Sequence, residues 1–249
     1  MPNSDPIRIV PLYRPPTRDL AAAAVPPKLT YRGGPLIQSV KIFTVFWGSA
    51  WANKPALAAV AQKINAFFQF IVTSSLMDEM TEYNVPDKAI QHGSFIGTAN
   101  VRTPAPRAKA KDASIRKLIQ REIVKGTLPK STPDTLYFVF APPGTSIVDG
   151  THASCSQFCG YHNSIGNGLF YAAMPYPDCN GCLGGMNDFD ALTGTSSHEL
   201  CEAITDPIPG SGWYDDTNGE IGDICGWQFK KVGGYTVQLE WSNRANACI

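Results

Sequence analysis

The amino-acid sequence predicts a mixed α/β (α+β) fold in which a twisted sheet lies against a buried helix. Three observations predict this class. Segments rich in β-branched and aromatic residues alternate with segments of helical periodicity between residues 36 and 174. Residues 31–249 contain no internal repeat and no clear boundary, so we expect a single domain there. All seven cysteines lie after residue 150, which is typical of a C-terminal half held together by disulfides.

The composition argues against two classes of partner. Lys and Arg together number 21, as do Asp and Glu, so the formal net charge is 0. No overall field therefore favours nucleic acid or an anionic membrane surface. No apolar run approaches the roughly 18 residues that a membrane-spanning helix needs, so we expect no membrane span.

Residues 1–30 predict a proline-rich leader that is extended or disordered. The segment lacks a basic start followed by an apolar stretch, so it shows no intact secretory signal. The cysteine content nevertheless favours an oxidising, extracellular location.

The first half of the chain predicts two strands and the helix between them. Residues 36–47 are rich in β-branched and aromatic residues and indicate a buried strand. Pro55 suits a first helical turn, and apolar residues then repeat at helical spacing, which predicts a helix to about residue 80. Residues 94–101 form the second predicted strand.

The middle of the chain continues this alternation. Residues 102–111 are basic and contain two prolines, which indicates an exposed loop. Apolar residues at helical spacing predict a helix at 115–126. Residues 135–141 and 168–174 predict two further strands.

The segment Ser196–Pro207 predicts a helix that carries chemistry. Residues four apart share a helix face, so His198 and Glu202 project side by side, with Glu199 next to His198. The pattern HExxE is that of the HExxH zinc-peptidase helix with a carboxylate in place of the second imidazole. The alternative is a capping box of Ser196 and Glu199, which needs no metal.

The order of strands followed by this helix resembles the zincin arrangement, and the residues predict a zinc site. His198, Glu202 and Glu220 would hold Zn²⁺, which leaves a fourth position for water. Glu199 would act as the catalytic base that takes a proton from this water. Three further residues would orient or replace a ligand: Asp223, Asp206 and His162.

The donor set also allows other outcomes. A Zn²⁺ ion held by two carboxylates and one imidazole has less net positive charge than one held by one carboxylate and two imidazoles. The lower charge favours slow turnover or a structural metal. Oxygen donors also suit Ca²⁺, and the loop after residue 214 offers such donors. They are Asp215, Asp216, Asn218 and Glu220.

An odd number of cysteines leaves one thiol unpaired. We expect this to be Cys201, because it lies inside the HExxE helix and faces away from His198 and Glu202. The remaining cysteines would form disulfides, or two of their close pairs would form a structural zinc site. These six are Cys155, Cys159, Cys179, Cys182, Cys225 and Cys248.

A series of local motifs resembles the phosphate-induced, Exordium-type protein family. The resemblance covers most of residues 31–249 and depends on the order of the motifs. They are YRGGPL (31–36), CSQFCGYH (155–162), DCNGC (178–182), the HExxE helix, GWYDDTNGEIGDIC (212–225) and VQLEWSNRANAC (237–248).

The resemblance implies a secreted, cysteine-bridged domain with no firmly assigned catalytic activity. The family pattern has its HExxE at His198, Glu199 and Glu202, and its EIxDxC at 220–225. It has Asn-Pro where this chain has Asp206-Pro207, which weakens Asp206 as a required ligand. It has a small apolar residue at Cys201.

Two functions follow from these observations. The leading hypothesis is a zinc-dependent, peptidase-like hydrolase that acts on a peptide or protein substrate. The alternative is a non-catalytic extracellular binding or signalling protein of Exordium type with a structural metal site. A cell-wall glycan is a second candidate partner, because several Trp and Tyr residues late in the chain would line a groove unless they belong to the core.

Overall fold

The computed structural model describes residues 9–14 and 26–249 of the chain. In this part the helices are α1 (Ala50–Asn53), α2 (Pro55–Ile71), α3 (Ser75–Met80), α4 (Asp112–Val124), α5 (Asn180–Leu183) and α6 (Asp188–Thr205). The strands are β1 (Ile9–Pro11), β2 (Thr30–Tyr31), β3 (Lys41–Trp47), β4 (Ser94–Val101), β5 (Lys109–Lys111), β6 (Thr135–Phe140), β7 (Ser146–Asp149), β8 (His152–Ala153), β9 (Phe158–Ile165), β10 (Leu169–Met174), β11 (Trp213–Tyr214), β12 (Phe229–Val232), β13 (Tyr235–Gln238), β14 (Trp241–Ser242) and β15 (Ala247–Cys248).

A six-stranded mixed sheet forms the centre of the molecule. Its strand order is β1-β9-β10-β6-β3-β4. The strands β10, β6, β3 and β4 are parallel to one another, whereas β9 runs antiparallel to β10 and β1 antiparallel to β9. The predicted mixed α/β class is therefore confirmed.

Helices cover both faces of this sheet, which explains why its central strands are rich in apolar residues and buried at nearly every position. In β6, Leu136, Phe138 and Phe140 pack into the core that contains α2 and α6. The alternate residues Tyr137 and Val139 pack into the core that contains α4. This alternation follows from the two-residue period of a strand.

Several predicted elements differ from the structure in their ends. The first strand begins at Lys41 rather than at residue 36. The helix predicted to reach residue 80 ends at Ile71, and Ser74 caps the separate helix α3 by accepting a hydrogen bond from the Leu76 N–H. The predicted exposed loop at 102–111 includes the short strand β5, which pairs with β7.

The strand β9 was not predicted, because its segment resembles a cysteine-stapled loop. It pairs with β10 on one side and with β1 on the other. Strand β1 lies within the segment predicted as a leader, and its Val10 is buried against the rest of the molecule. The other parts of that leader prediction, residues 1–8 and 15–25, lie outside the described residues.

Three disulfides hold the C-terminal half together, as predicted. The pairs are Cys155–Cys179, Cys159–Cys182 and Cys225–Cys248. Cys201 is the free, buried thiol. The alternative of a structural zinc site built from these cysteines is wrong, because their sulfurs are bonded to one another. Disulfides of this number are typical of proteins from oxidising compartments.

Within the described ranges, no single helix is long and apolar enough to cross a membrane. Two consecutive helical segments, Pro55–Ile71 and Ser75–Tyr83, reach that length and hydropathy only when they are taken together, and the chain bends sharply between them.

Candidate metal centre

Helix α6 begins at Asp188 rather than at Ser196. Asn187 caps it by accepting a hydrogen bond from the Asp190 N–H at 2.9 Å, and two aspartates in the first turn complement the helix dipole. Ser196 therefore lies in the middle of the helix, where the backbone N–H groups already have helical partners. The capping-box alternative for Ser196 and Glu199 is wrong, so those residues need another explanation.

The HExxE residues lie in the interior of the protein. Helix α6 packs against β9, β10 and β13, and His198, Glu199 and Glu202 are all fully buried. Strand β9 adds His162, which is also fully buried. Because side chains alternate along a strand, Gly160 faces α6 together with His162, and its missing side chain leaves room for Glu199.

His162 lies between two carboxylates of the helix. Its Nδ1 is 3.2 Å from Oε2 of Glu199 and 3.5 Å from Oε2 of Glu202. Its other nitrogen, Nε2, is 3.0 Å from the carbonyl oxygen of Asp206, which suits an N–H donor. When only Nε2 carries a proton, the lone pair of Nδ1 faces two carboxylates, and either a proton on one of them or a bound cation would separate these acceptors.

His198 forms a second group that shares Glu202. Its Nε2 is 2.8 Å from Oε1 of Glu202 and 4.0 Å from Oδ1 of Asp223. The contact with Glu202 lacks hydrogen-bond geometry, so Nε2 of His198 has no hydrogen-bond partner. The donor atoms of His198, Glu202 and Asp223 all lie within 4.8 Å of one another, as do those of the group formed by His162, Glu199 and Glu202.

Gln238 and Gly222 orient His198, and the sequence predicts no role for either of them. Gln238, at the end of β13, places its Nε2 2.8 Å from Nδ1 of the imidazole and donates to the carbonyl of Gly222 at 2.8 Å. The ring also lies directly on Gly222, where a Cβ would come within 2.7 Å of Nδ1. Both residues lie in segments that carry the family resemblance, but neither has a chemical motif that would have assigned it a role.

Glu220 does not join either group. It is fully buried, and its Oε1 is 3.5 Å from Nε2 of His162, on the side of the ring away from Glu199. Asp223, rather than Glu220, lies next to His198. The sequence predicts the reverse, with Glu220 as the ligand and Asp223 as the residue that orients a ligand. The ligand roles themselves remain predictions.

Asp206 has a structural role at the end of α6. Its carboxylate accepts hydrogen bonds from the backbone N–H groups of Gly210, Ser211 and Gly212. These bonds hold the turn that follows the helix. The carboxylate therefore has partners other than a metal.

The oxygen-rich loop proposed for Ca²⁺ does not converge. Asp215 accepts from the backbone N–H groups of Thr217 and Asn218, and Asp216 forms a surface ion pair with Arg32 at 2.7 Å. Glu220, the fourth predicted donor, is buried next to His162. Asp215 and Asn218 thus bond to each other, whereas Asp216 and Glu220 lie in other surroundings.

The cluster contains several buried polar atoms without a hydrogen-bond partner. They are Nε2 of His198, Oε1 of Glu199, Oε2 of Glu202 and both carboxylate oxygens of Glu220. Buried polar atoms in native proteins almost always have a partner, and an unpaired buried charge is strongly destabilising. A cation bound among these atoms would supply the missing interactions.

Charge coupling within the cluster shifts the pKa values of its members. Burial opposes protonation of the imidazoles, but Glu199 and Glu202 outweigh it and raise the pKa of His162 to about 10. Glu202 likewise raises the pKa of His198 well above its usual value. Burial raises the pKa of Glu199, whereas for Glu202 the two imidazoles outweigh burial and lower the pKa to about 2. Protons thus stabilise the metal-free cluster, and a bound cation must displace them.

The pKa values of the other two carboxylates, those of Glu220 and Asp223, are both raised. Burial, together with the charge of Glu202, raises the pKa of both Glu220 and Asp223 well above the usual range. Each therefore favours its neutral form unless a cation lies close by.

No protein-family model matches the chain, and no curated protein sequence matches it. The Exordium-type resemblance accordingly remains a prediction from the motifs.

Proposed function

We propose that this chain is a metal-dependent, peptidase-like hydrolase whose ion is zinc and lies at the HExxE helix. A single observation carries the proposal. The donor atoms of His198, Glu202 and Asp223 converge in the protein interior, and Nε2 of His198 has no hydrogen-bond partner although it lies 2.8 Å from a carboxylate oxygen of Glu202. Imidazole nitrogens and carboxylate oxygens are donor types that bind Zn²⁺.

Glu199 supplies the proton chemistry in this proposal. It follows His198 directly in the helix, its Oε1 has no hydrogen-bond partner, and burial raises the pKa of its carboxyl. A carboxylate with a raised pKa accepts a proton from the attacking water and then passes it to the leaving nitrogen. His162, whose Nδ1 is 3.2 Å from Oε2 of Glu199, shares that proton. A bound Zn²⁺ supplies Lewis acidity to the scissile carbonyl.

A second candidate function is a non-catalytic extracellular protein with a structural metal. The observation that favours it is closure of the site: His162, His198, Glu199, Glu202 and Glu220 are each 0% exposed. Structural zinc sites are closed, whereas catalytic sites keep an open position. We infer an extracellular location in either case from the three disulfides.

Peptide cleavage by zinc-loaded protein separates the two candidates. The protein is incubated with a peptide library, and the products are identified by mass spectrometry. The hydrolase proposal predicts cleavage that a chelator abolishes and added zinc restores. If the protein holds its zinc and cleaves no peptide, the structural-metal candidate replaces the hydrolase.

A further inference from the structure

We propose that the cluster holds two cations, with Glu202 bridging them. The first is the ion next to His198 on which the proposed function depends. The second lies among His162, Glu199 and Glu202, a set that the HExxE pattern does not predict. The inference thus deepens the proposed function, because it concerns the metal content of the same site.

The distances between the donor atoms around His162 fit a bound cation. Ligands bound tetrahedrally at zinc distances lie roughly 3.3–3.4 Å from one another. Nδ1 of His162 is 3.2 Å from Glu199 and 3.5 Å from Glu202, which brackets that separation. The carbonyl of Asp206 accepts from Nε2 of His162, and such a contact orients a ligating imidazole so that its other nitrogen faces the metal.

The two oxygens of Glu202 face different imidazoles. Oε1 is 2.8 Å from Nε2 of His198, and Oε2 is 3.5 Å from Nδ1 of His162. Oε2 has no hydrogen-bond partner. A carboxylate placed in this way binds one ion through each oxygen, and two-metal sites hold their ions about 3.5–4 Å apart.

The buried charge also calls for more than one divalent ion. Four carboxylates lie within 4.0 Å of a nitrogen of the two imidazoles, and their side chains are closed from solvent: Glu199, Glu202, Glu220 and Asp223. One divalent cation leaves about two of these charges unbalanced when all four are ionised, whereas two cations balance them. The only alternative is that protons remain in the cluster.

A second ion changes the role of Glu199. In the singly loaded protein Glu199 is free to accept a proton, but at the second site it is a ligand. Because the imidazole and the carboxylates must lose protons to bind the ion, binding of the second equivalent releases protons and strengthens as the pH rises.

The test is the number of Zn²⁺ ions bound per chain. Protein stripped with a chelator is dialysed against excess zinc near pH 7.5, and bound metal is measured by elemental analysis. The comparison uses His162→Ala, His198→Ala and His92→Ala. His92 is the matched control, because it is an exposed histidine that also pairs with a carboxylate, Asp78, away from α6.

We expect two ions in the parent and in His92→Ala, and one in each of the other two variants. One ion in the parent would overturn the second site and leave the proposed function standing, whereas no ion would overturn both. Two ions retained in His162→Ala would also overturn the second site.

A second measurement covers the case in which a variant fails to fold. Anomalous scattering at the zinc edge from crystals of the parent soaked in zinc is expected to show two peaks about 3.5–4 Å apart on either side of Glu202. A single peak at the cluster would overturn the proposal.

Discussion

Nδ1 of His162 lies 3.2 Å from Oε2 of Glu199, although the two residues belong to different elements, β9 and α6. This contact joins β9, the strand next to the edge strand β1 of the central sheet, to the HExxE helix in the protein interior. It brings a second imidazole to a helix that carries only one, and it does so through residues whose chain positions are 37 apart. The cluster that results is richer in donors than the helix pattern alone.

Gly222 leaves the space that the imidazole of His198 occupies. In Gly222→Ala the new methyl group would come within 2.7–2.9 Å of three ring atoms, so the buried ring must move. We expect weaker zinc binding by at least about tenfold, as is typical when the surroundings of a ligand are disturbed. Isothermal titration calorimetry measures this change. Gly168→Ala is the control, because nothing lies within 4 Å of its Cβ position, and equal affinities in both variants would contradict the assigned role.

Gln238 positions His198 through the contact with Nδ1. The variant Gln238→Leu removes this contact, and we expect zinc affinity to fall about 10–100-fold. A ligating Nε2 needs a proton on Nδ1, so zinc binding requires the Gln238 amide to turn its Oε1 towards the ring in place of the Nε2 that faces Nδ1 in the structure. Gln238→Glu provides such an oxygen and should restore binding. Loss of affinity in both variants to the same extent would show a merely structural role.

Glu199 is the proposed base, so its amide variant should separate binding from turnover. Glu199→Gln keeps the size of the side chain but cannot accept the proton. We expect it to keep the ion next to His198 and to lose about 10²–10⁴-fold in peptide cleavage. Bound zinc and the rate of cleavage are measured on the same preparation, loaded with one equivalent of zinc so that Glu199 is not a ligand of the second ion. Cleavage at the parent rate would exclude Glu199 as the base.

Asp190, near the start of α6, should contribute to the pH dependence of stability. Its carboxylate accepts from the Thr236 hydroxyl, which lowers its pKa despite partial burial, and Lys231 adds to the effect. A lowered folded pKa gives stability that is present above the unfolded value and is lost as the pH falls through the folded value.

The variant Asp190→Asn should therefore destabilise the protein by about 1 kcal/mol near neutral pH, and its difference from the parent should shrink as the pH falls through the lowered pKa of Asp190. Urea unfolding across this pH range measures it. The exposed carboxylate of Asp87 supplies the control variant Asp87→Asn. A constant difference between Asp190→Asn and the parent at every pH would contradict the argument.

Removal of the metal should lower the thermal stability of the whole domain. The cluster ties α6 to β9, and a ligand that binds only the folded state stabilises it by about 4 kcal/mol at a thousandfold excess over its Kd. We expect the melting temperature to fall on addition of a chelator and to recover on addition of zinc. An unchanged melting temperature in protein shown to bind zinc would contradict this coupling.

Local patterns predicted most of the sheet and its covering helices. The run Thr135–Phe140 is buried at every position because both faces of the strand are covered, and a run so rich in apolar residues is readily identified. By contrast, β9 contains Cys159, Gly160 and His162, which indicate a loop by composition. These residues occupy a strand because its partners β1 and β10 supply the hydrogen bonds, and the sequence of one segment does not show its partners.

The site was predicted in part for the same reason. The spacing of His198 and Glu202 follows from helix geometry and needs no tertiary information. The positions of Asp223 and Glu220 depend on a loop whose course is set by Gly219, Gly222 and the Cys225–Cys248 disulfide. A shift of three residues along this loop exchanges which carboxylate lies next to His198, and chain separation alone does not decide between them.

The proposed chemistry of this protein depends most directly on whether the buried cluster binds a divalent cation. Elemental analysis of purified, extensively dialysed parent protein and of Glu202→Gln tests this, because Glu202 belongs to both groups of donors. The account predicts at least one zinc ion per chain in the parent and none in the variant. A parent without metal, or a folded variant that retains as much zinc as the parent, would contradict it.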